Sequence, residues 1–431
     1  MHYVIVGGSA AGINAVEAIR SQDKEGKITL ISDEEIPLYS RCLITYFLSG
    51  AISEDKLKYR TSDFYEKEKV DALHGVKARR LLPEKRKLIL DNGKELTYDR
   101  LLIATGASPQ TVEAPGSDKK GILGLRTYQD AQLINDRLNR VKRVSILGGG
   151  LIGLRAAYSL HARHKEVKVI VKSNQVLSQM LDKGAANFVR RKIEEKGIQV
   201  MTGLAAVEFL GEKEVTGIVL DDGRRLECEL VIVGKGVRPN LELVEGTGIK
   251  TEYGIIVDDY LQTNLPNIYA AGDVAQSKDL ITGQSTINAL WPCAVAQGRV
   301  AGLNMSGKKV KYDGSLAMNS VEFFSLPVIS LGITRPKGKD YEELVKEDER
   351  NFVYKKVVLK DNRIQGMILV NRVEQAGVMG ILMRKKVDVS PIKSMLLEDR
   401  FDFAKILSII KEGKEFFTER EFEESIITFK K

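Results

Sequence analysis

Two glycine-rich turns constrain this chain most, because each follows a short apolar strand and opens a helix, as dinucleotide binding requires. They lie in the segments VIVGGSAAG and SILGGGLIG. Bare backbone N–H groups at the start of each helix would face a pyrophosphate, and the glycines leave room for it to approach. The sequence therefore predicts two bound nucleotides. The first turn contains Gly7, Gly8, Ser9, Ala10, Ala11 and Gly12, and the second contains Gly148, Gly149, Gly150, Leu151, Ile152 and Gly153.

Length and composition permit this interpretation. A chain of 431 residues, 43% of them apolar, can form about two or three domains with real cores. No apolar run approaches the roughly 18 residues of a membrane helix, and Met1 leads almost directly into the first core strand. We therefore expect a soluble cytoplasmic protein. The net charge of +8 suits an acidic partner or merely solvated basic faces, and the short, acid-interleaved basic runs favour solvated faces.

The three cysteines, Cys42, Cys228 and Cys293, lie far apart in the sequence. Their spacing excludes a disulfide scaffold and any CxxC zinc, haem or redox pair, and three thiols are too few for an iron–sulfur cluster. The sequence therefore predicts no metal site.

The order of elements predicts an α/β chain with two Rossmann-type, three-layer domains followed by an α+β domain. Residues 1–109 carry the first turn, and 110–236 carry the second and close with LVIVGKGVRPN, which echoes the earlier LLIATGASPQ. Residues 237–309 have no glycine fingerprint of their own, so we assign them to the first domain as its missing half. Residues 310–431 alternate strands with a helix and form the third domain.

Two capping boxes mark helix starts. Thr127 with Asp130 predicts a helix just before the second nucleotide unit. Thr418 with Glu421 precedes apolar residues at helical spacing, which predicts an amphipathic helical tail lying on the domain or on a partner.

The ordered segments GGSAAG, ATG, GGGLIG, GKGVRPN, AAGD and WPCAVAQGRVAG resemble the FAD- and NAD(P)-dependent pyridine nucleotide–disulfide oxidoreductase superfamily over nearly the whole chain. The loop YSRCLITYFLSG is similar to that of its single-cysteine branch, which includes NADH oxidases, peroxidases and coenzyme A-disulfide reductases. It also resembles the Tyr-x-Arg loop of nitrite reductase flavin domains and NADH:rubredoxin reductases. The resemblance implies FAD in the first domain, NAD(P)H in the second and dimerisation through the third.

The resemblance also assigns residues to FAD. The first glycine turn would hold the pyrophosphate, and Asp273 would bind the ribityl chain. The acid for the adenosine ribose would be Asp33, with Glu34 beside it, and the helix after Pro292 would direct its positive end at the flavin pyrimidine. The other residues expected around FAD are Arg41, Cys42, Ala78, Ala104, Thr105, Gly106, Gly272 and Ala294.

The NAD(P) site departs from the family pattern. Arg155 stands where a Glu near the nicotinamide is usual. Lys172 replaces the acid that would bind a free 2′-hydroxyl, so it would suit a 2′-phosphate, or it is simply solvated; NADH and NADPH both stay open. The residues expected around this nucleotide are Gly148, Gly150, Leu151, Ile152, Gly153, Arg155, Lys172, Gly234 and Gly236.

Cys42 has two interpretations. It could be a redox thiolate that attacks a disulfide, with Arg41 lowering its pKa, or an inert small residue beside the flavin. Ala10 replaces the His that oxidases and peroxidases carry, which disfavours peroxide chemistry because a positioned proton donor is missing. Coenzyme A enzymes of the family carry tandem basic residues where this chain has Arg20 and Ser21. We therefore favour an inert Cys42.

The sequence thus predicts an FAD-dependent NAD(P)H:acceptor oxidoreductase that passes electrons to a redox protein or small acceptor, alone or as a subunit of a larger complex. The alternatives are a Cys42-dependent disulfide reductase of the coenzyme A type and a flavin-binding interaction protein. We expect an acidic or metal-containing redox partner, a homodimer or hetero-oligomer, and neither membrane nor nucleic acid as a partner.

Overall fold

The computed structural model describes residues 1–36, 38–399, 401, 406 and 409. These residues form two compact units: unit 1 contains residues 1–172 and 204–316, and unit 2 contains residues 173–203 and the chain from 317 onward. The predicted helix after Thr418 lies outside the described residues. The described helices are α1 (Ala10–Gln22), α2 (Ile44–Ser49), α3 (Phe64–Lys67), α4 (Tyr128–Asn135), α5 (Leu151–Ala162), α6 (Lys183–Glu194), α7 (Trp291–Met305) and α8 (Ala376–Arg384).

The first glycine turn leaves the central strand of a five-stranded parallel sheet. The edge strand Ile268–Ala270 pairs with Arg100–Ile103, so the chain returns to this sheet after the second nucleotide unit. Its strands, in spatial order, are Ile268–Ala270, Arg100–Ile103, His2–Val6, Lys27–Ile31 and Val70–Leu73.

The second glycine turn leaves a strand that is flanked in the same way. Within unit 1, parallel strands run in the order Glu166–Val171, Arg143–Leu147, Leu230–Val233 and Ile122–Gly124. The carboxyl end of Arg143–Leu147, where the turn lies, is therefore bordered on both sides by other strand ends. Parallel sheets place their ligand sites at this edge.

Small ribbons complete unit 1, and their pairings are antiparallel except for the parallel pair Ile255–Ile256 with Ala275–Lys278. One of them joins the two segments that echo each other in the sequence, because Ser108 pairs with Arg238. The ribbons are Ala107–Pro109 with Val237–Pro239; Ala78–Leu82, Lys87–Leu90 and Glu95–Thr97; Ala206–Leu210, Gly217–Leu220 and Arg225–Glu227; and Ile255–Ile256, Ala275–Lys278 and Ser285–Thr286.

Unit 2 is built on an antiparallel sheet, as expected for an α+β domain. It also contains the short strand Gln199–Thr202. The Nζ atom of buried Lys356, on the antiparallel sheet, lies 3.0 Å from a carboxylate oxygen of Asp182 and 2.7 Å from one of Glu343. The parallel cores and this sheet confirm the predicted fold class. The sheet's strands, in spatial order, are Met318–Phe323, Leu326–Gly332, Arg363–Val370, Val353–Lys360 and Glu342–Asp348.

Helices α1 and α7 cross backbone to backbone. A Cβ atom added at Gly298 would lie 2.1 Å from the Ala11 carbonyl oxygen, and one added at Gly302 would lie 2.5 Å from that of Ala15. Any side chain at these two positions would separate the helices. The crossing therefore fixes the start of α1, where the first glycine turn ends.

We expect Gly298→Ala to destabilise the protein by about 1–3 kcal/mol, because the added methyl group overlaps backbone that cannot turn aside. Urea unfolding followed by circular dichroism measures the change. Gly377→Ala in α8 is the matched control, because its added Cβ meets nothing within 4 Å; we expect a neutral effect or a gain of up to about 1 kcal/mol there. Equal effects of the two substitutions would contradict the close crossing.

Candidate active site

The first glycine turn forms a cradle that side chains would fill. Gly7 has a φ of +123°, and a Cβ there would lie 2.0 Å from the Ala104 carbonyl oxygen; one at Gly12 would lie 1.9 Å from that of Gly7. Ser9 caps α1 with extended backbone and makes no capping hydrogen bond through its side chain. The helix N-terminus is thus shaped for an anionic group, and the residues present fit a pyrophosphate.

The second turn repeats this geometry. Gly148 has a φ of +128°, and a Cβ there would lie 2.2 Å from the Gly234 carbonyl oxygen; one at Gly153 would lie 2.0 Å from that of Gly148. Gly150 caps α5 and has open space beside it. Leu151 and Ile152 lie within this turn, and Ile152 is 45% exposed. Gly236, two residues after Gly234, has a φ of +98° and open space beside it.

The two candidate acids for the adenosine ribose differ in placement. Glu34 lines a pocket that also contains Gly8, Ser9 and Ser32, whereas Asp33 is solvent-exposed and is not part of that lining. The Glu34 carboxylate accepts hydrogen bonds from the Tyr39 hydroxyl and the Arg41 guanidinium. The geometry therefore favours Glu34.

The same pocket contains polar atoms that lack protein partners. The buried Tyr65 hydroxyl and His74 Nδ1 have no hydrogen-bond partner in the described part of the chain. Burial lowers the pKa of His74 and raises that of Tyr65. Buried polar atoms without partners are rare, so the pocket fits a ligand that carries its own hydrogen-bonding groups, as an adenosine does. Sequence analysis missed Tyr65 and His74, because no motif marks them.

Asp273 lies three residues after the strand Ile268–Ala270 and forms a largely buried ion pair. Its Oδ2 accepts a hydrogen bond from the Arg126 guanidinium at 2.7 Å, and the two side chains are only 17% and 18% exposed. Arg126 directly precedes the Thr127–Asp130 capping box, both hydrogen bonds of which are present as predicted. Sequence analysis missed Arg126, although the capping box beside it could have drawn attention to it.

Helix α7 holds the Asp273 turn in place. The Gly272 N–H donates to Gln297 Oε1 at 2.7 Å, and a Cβ at Gly272 would contact Ala11 and Ala294. Pro292 lies in the first turn of α7, where its missing N–H costs nothing. The structure thus places Gly272 beside Ala11 of the first glycine turn and Ala294 of α7.

The ATG segment, residues 104–106, is hydrogen-bonded to Asn240 at the end of the similar segment LVIVGKGVRPN. The Thr105 hydroxyl donates to the Asn240 carbonyl oxygen at 3.0 Å, and the Asn240 side-chain amide donates to that of Thr105 at 2.8 Å. The Asn240 N–H donates to the carbonyl oxygen of Gly106. Ala78, which was also expected near FAD, lies buried in the core that contains Val6 and Ile103.

Cys42 lies in the short 3₁₀ helix Arg41–Leu43, where the residue is solvent-exposed. Desolvation by surrounding atoms raises the pKa of its thiol, and the Asp273 carboxylate adds to the rise, which the Ser40 hydroxyl partly offsets. The redox-thiolate alternative needs Arg41 to lower this pKa, and the pKa is raised instead. The Arg41 guanidinium pairs with Glu34, so its charge is compensated there.

Arg155, on α5, contacts the helix that follows Cys42. Its guanidinium lies 3.4 Å from the Thr45 hydroxyl and stacks over the Tyr46 ring at 4.5 Å. The Ser159 hydroxyl, one turn later, donates to the Thr45 carbonyl oxygen at 2.7 Å. The helix that opens at the second glycine turn is thereby fastened to the segment of the first site.

The Arg20 side chain is buried and hydrogen-bonded to backbone carbonyl oxygens of the protein. Only 6% exposed, it donates to the carbonyl oxygens of Asp23, Gly26, Glu68 and Lys69. The Ser21 hydroxyl donates to that of Ala18 at 2.7 Å. Four of the five N–H donors of Arg20 and the hydroxyl of Ser21 are thus used within the protein.

Two further findings bound the chemistry. Among the described residues, no group of three or more His, Cys, Asp or Glu side chains is placed to hold a metal ion. No helix in that part of the chain is both long and apolar enough to cross a membrane.

Comparison with known families identifies the class of protein. Residues 1–298 match the family described as pyridine nucleotide-disulphide oxidoreductase, and residues 318–387 match the C-terminal domain of rubredoxin NAD+ reductase. The chain belongs to the pyridine nucleotide-disulphide oxidoreductase family. It is an oxidoreductase that uses FAD and NAD(P)H, as the sequence predicts.

Individual relatives carry names that describe different reactions and partners. The chain is 34% identical over 382 residues to the NADH-dependent phenylglyoxylate dehydrogenase subunit epsilon of Aromatoleum evansii, covering 88% of this chain and 90% of that one. Among solved structures, an NAD-dependent persulfide reductase from A. fulgidus has a TM-score of 0.86 at 26% identity, covering 92% of this chain and 79% of the other. Putidaredoxin reductase in its covalent complex with putidaredoxin also has a TM-score of 0.86, at 25% identity, covering 96% and 99%.

We expect Glu34→Gln to weaken FAD binding about tenfold, because a carboxylate accepts a stronger hydrogen bond from a ribose hydroxyl than an amide does. Flavin fluorescence during titration of the flavin-free protein with FAD measures the dissociation constant. Asp33→Asn is the matched control, and we expect it to change that constant by less than about twofold, as is usual for a surface position. A larger loss in Asp33→Asn than in Glu34→Gln would reverse the assignment.

Proposed function

We propose that this protein oxidises NAD(P)H through FAD and passes the electrons to a separate redox protein, with Cys42 taking no part in the chemistry. The setting of Cys42 carries the proposal: the guanidinium of the preceding residue, Arg41, pairs with Glu34, and desolvation raises the pKa of the thiol. Only a thiolate is an effective nucleophile, so a thiol in this setting is poorly suited to attack a disulfide. Electrons that reach the flavin would therefore leave to another acceptor.

The protein's own part is placement. FAD supplies the redox chemistry, accepting hydride from a nicotinamide and releasing electrons onward. The residues of the first turn, Glu34 and the Arg126–Asp273 pair would hold FAD, and the second turn would hold the pyridine nucleotide. Contacts of Arg155 and Ser159 with Thr45 would keep the two sites in a fixed relation, which hydride transfer requires.

Several observations support a protein as the acceptor. The C-terminal segment matches a domain of rubredoxin reductase, and putidaredoxin reductase has nearly the same fold over the same length. The relative from Aromatoleum evansii is a subunit of a larger NADH-dependent enzyme. A net charge of +8 would steer an acidic partner toward this chain. We also predict a cytoplasmic location, which fits the use of NAD(P)H. A dimer or hetero-oligomer is a further prediction.

A second candidate is a disulfide or persulfide reductase of the coenzyme A type. The likeness to a persulfide reductase and the exposure of Cys42 favour it. The engagement of Arg20 by four backbone carbonyl oxygens opposes it, because four of the five guanidinium donors are already used within the protein.

Cys42→Ser separates the two candidates. If Cys42 is inert, the rate of NAD(P)H-dependent dye reduction should stay within about threefold of wild type, since hydride transfer to flavin needs stacking and no thiol. Reductive titration should consume one electron pair per FAD in both proteins. Cys293→Ser, at a buried cysteine of α7, is the matched control for loss of a thiol.

The opposite outcome is equally distinct. A redox thiolate would make the wild-type protein take up a second electron pair and show a thiolate-to-flavin absorption band. Cys42→Ser would then abolish turnover with coenzyme A disulfide or persulfide while leaving flavin reduction intact. That result would overturn the proposal.

A panel of acceptors tests the remaining step. With NADH as donor, we expect rubredoxin or a small acidic iron–sulfur ferredoxin to reoxidise the flavin faster than coenzyme A disulfide or peroxide does. We further expect the rate with the protein acceptor to fall as ionic strength rises, because salt screens the attraction between a basic and an acidic surface. Stopped-flow absorbance of the flavin measures both. Faster reoxidation by the disulfide would contradict the proposed acceptor.

A further inference from the structure

Two consecutive lysines are buried in the antiparallel sheet of unit 2. Both lie in the strand Val353–Lys360, where the Lys355 side chain has no exposed surface and that of Lys356 is 5% exposed. Neighbouring side chains of a strand point to opposite faces of the sheet, so the two ammonium groups lie on opposite sides. A buried charge is costly unless other groups compensate it. Each lysine must therefore find its partners on its own face.

Lys356 faces α6. Its partner Asp182 also caps that helix, where the Asp182 carboxylate accepts hydrogen bonds from the Ala185 N–H at 3.0 Å and from the Tyr354 hydroxyl at 2.6 Å. With Glu343 on the other side, two carboxylates lie within 3.0 Å of this ammonium group. The charge of Lys356 is thus compensated from two separate segments of the chain.

Lys355 faces the start of α8 and the chain that follows this helix. Its Nζ lies 2.9 Å from Asp399 Oδ1, 3.1 Å from the Glu398 carbonyl oxygen and 3.2 Å from Gln375 Oε1. An ammonium group has three N–H donors, and these three acceptors match them. Within the described ranges, Asp399 supplies the one carboxylate at ion-pair distance from Lys355.

Asp399 reaches this buried charge from the surface. Its side chain is 59% exposed, whereas Phe401, two residues later, is only 4% exposed. The Lys355 ammonium lowers the pKa of Asp399, and the charges of Lys346 and Arg372 lower it further. The carboxylate is therefore ionised at neutral pH, and an exposed residue carries the negative charge that a buried lysine needs.

The two partners lie on different sides of a domain boundary. The match to the C-terminal domain of rubredoxin reductase ends at residue 387, so Lys355 lies within the matched domain and Asp399 lies beyond it. We propose that Lys355 and Asp399 form a latch that fastens the chain at residues 398–399 to the matched domain, and that the latch holds only while both groups are charged. The inference is independent of the proposed function, because it concerns unit 2 alone.

The latch opens for a physical reason. Without the Asp399 charge, a buried ammonium group would be left uncompensated, which is strongly unfavourable. Movement of Glu398 and Asp399 away from the sheet lets water reach Lys355 and relieves this cost. Opening therefore makes Lys355 accessible and leaves Lys356, on the opposite face, as it was.

Amine labelling of the full-length, FAD-loaded protein tests this difference. Acetylation with N-hydroxysuccinimidyl acetate, located by peptide mass spectrometry, should spare Lys355 in the wild type. Asp399→Asn keeps the shape of the side chain and removes its charge, and it should speed labelling of Lys355 at least about tenfold. Lys356 is the internal control and should stay unlabelled in both proteins. Asp361→Asn, at an exposed position after the same strand, is the matched substitution and should change neither lysine.

A second background shows whether charge compensation is the cause. Lys355→Met fills a similar space without a charge, so that Asp399 is no longer needed. Hydrogen–deuterium exchange of the peptide covering residues 391–399 measures local opening. We expect Asp399→Asn to raise exchange there about tenfold when Lys355 is present and less than about twofold when methionine replaces it.

Each result decides for or against the latch. Unchanged labelling of Lys355 together with unchanged exchange in Asp399→Asn would overturn it. Equal increases in exchange in the two backgrounds would also overturn it, since Asp399 would then act without Lys355. Parallel labelling of Lys356 and Lys355 in Asp399→Asn would indicate unfolding of the whole sheet and would contradict a local latch. Labelling of Lys355 alone, abolished as an effect on exchange by Lys355→Met, is the expected outcome.

Discussion

The close approach of bare backbone around the start of α1 is the constraint on which the rest of unit 1 depends. The Gly7 carbonyl oxygen contacts Gly12 from the turn, and the Ala11 carbonyl oxygen contacts Gly298 from α7. One turn of helix is thus fixed from both sides by positions that tolerate no side chain. Because α7 also carries Gln297, which binds the Gly272 N–H, this contact sets where Asp273 stands relative to the pyrophosphate cradle.

Charge is distributed differently at the two nucleotide sites. At the first site the cations Arg41 and Arg126 are compensated by Glu34 and Asp273. Desolvation raises the pKa of the Cys42 thiol, and both of these cations are engaged with carboxylates. Beside the second glycine turn, no carboxylate of the described residues forms an ion pair with Lys172 or Lys235, so these two charges are not compensated as Arg41 and Arg126 are.

The two sites are linked through a short contact. Arg155 and Ser159 of α5 meet Thr45 of α2, directly after the Cys42 segment. Because α5 begins at the second glycine turn, a hydrogen bond and a stacked guanidinium connect that turn with the segment after Cys42. The substitution of Arg for the usual Glu at position 155 thus has a structural counterpart in the Tyr46 ring beneath it.

The sequence by itself determined the backbone: the two turns, the parallel sheets, the capping box at Thr127 and the family follow from local patterns of glycine, apolar and capping residues. The tertiary structure decided the partners of charged groups. In the fold, Glu34 rather than Asp33 lines the pocket. Arg126 pairs with the carboxylate of Asp273, 147 residues away, and Arg20 donates to backbone carbonyl oxygens. The physical reason is that glycine and hydrophobic periodicity act on neighbouring residues, whereas the state of a charge depends on whichever groups the fold brings within a few ångströms of it.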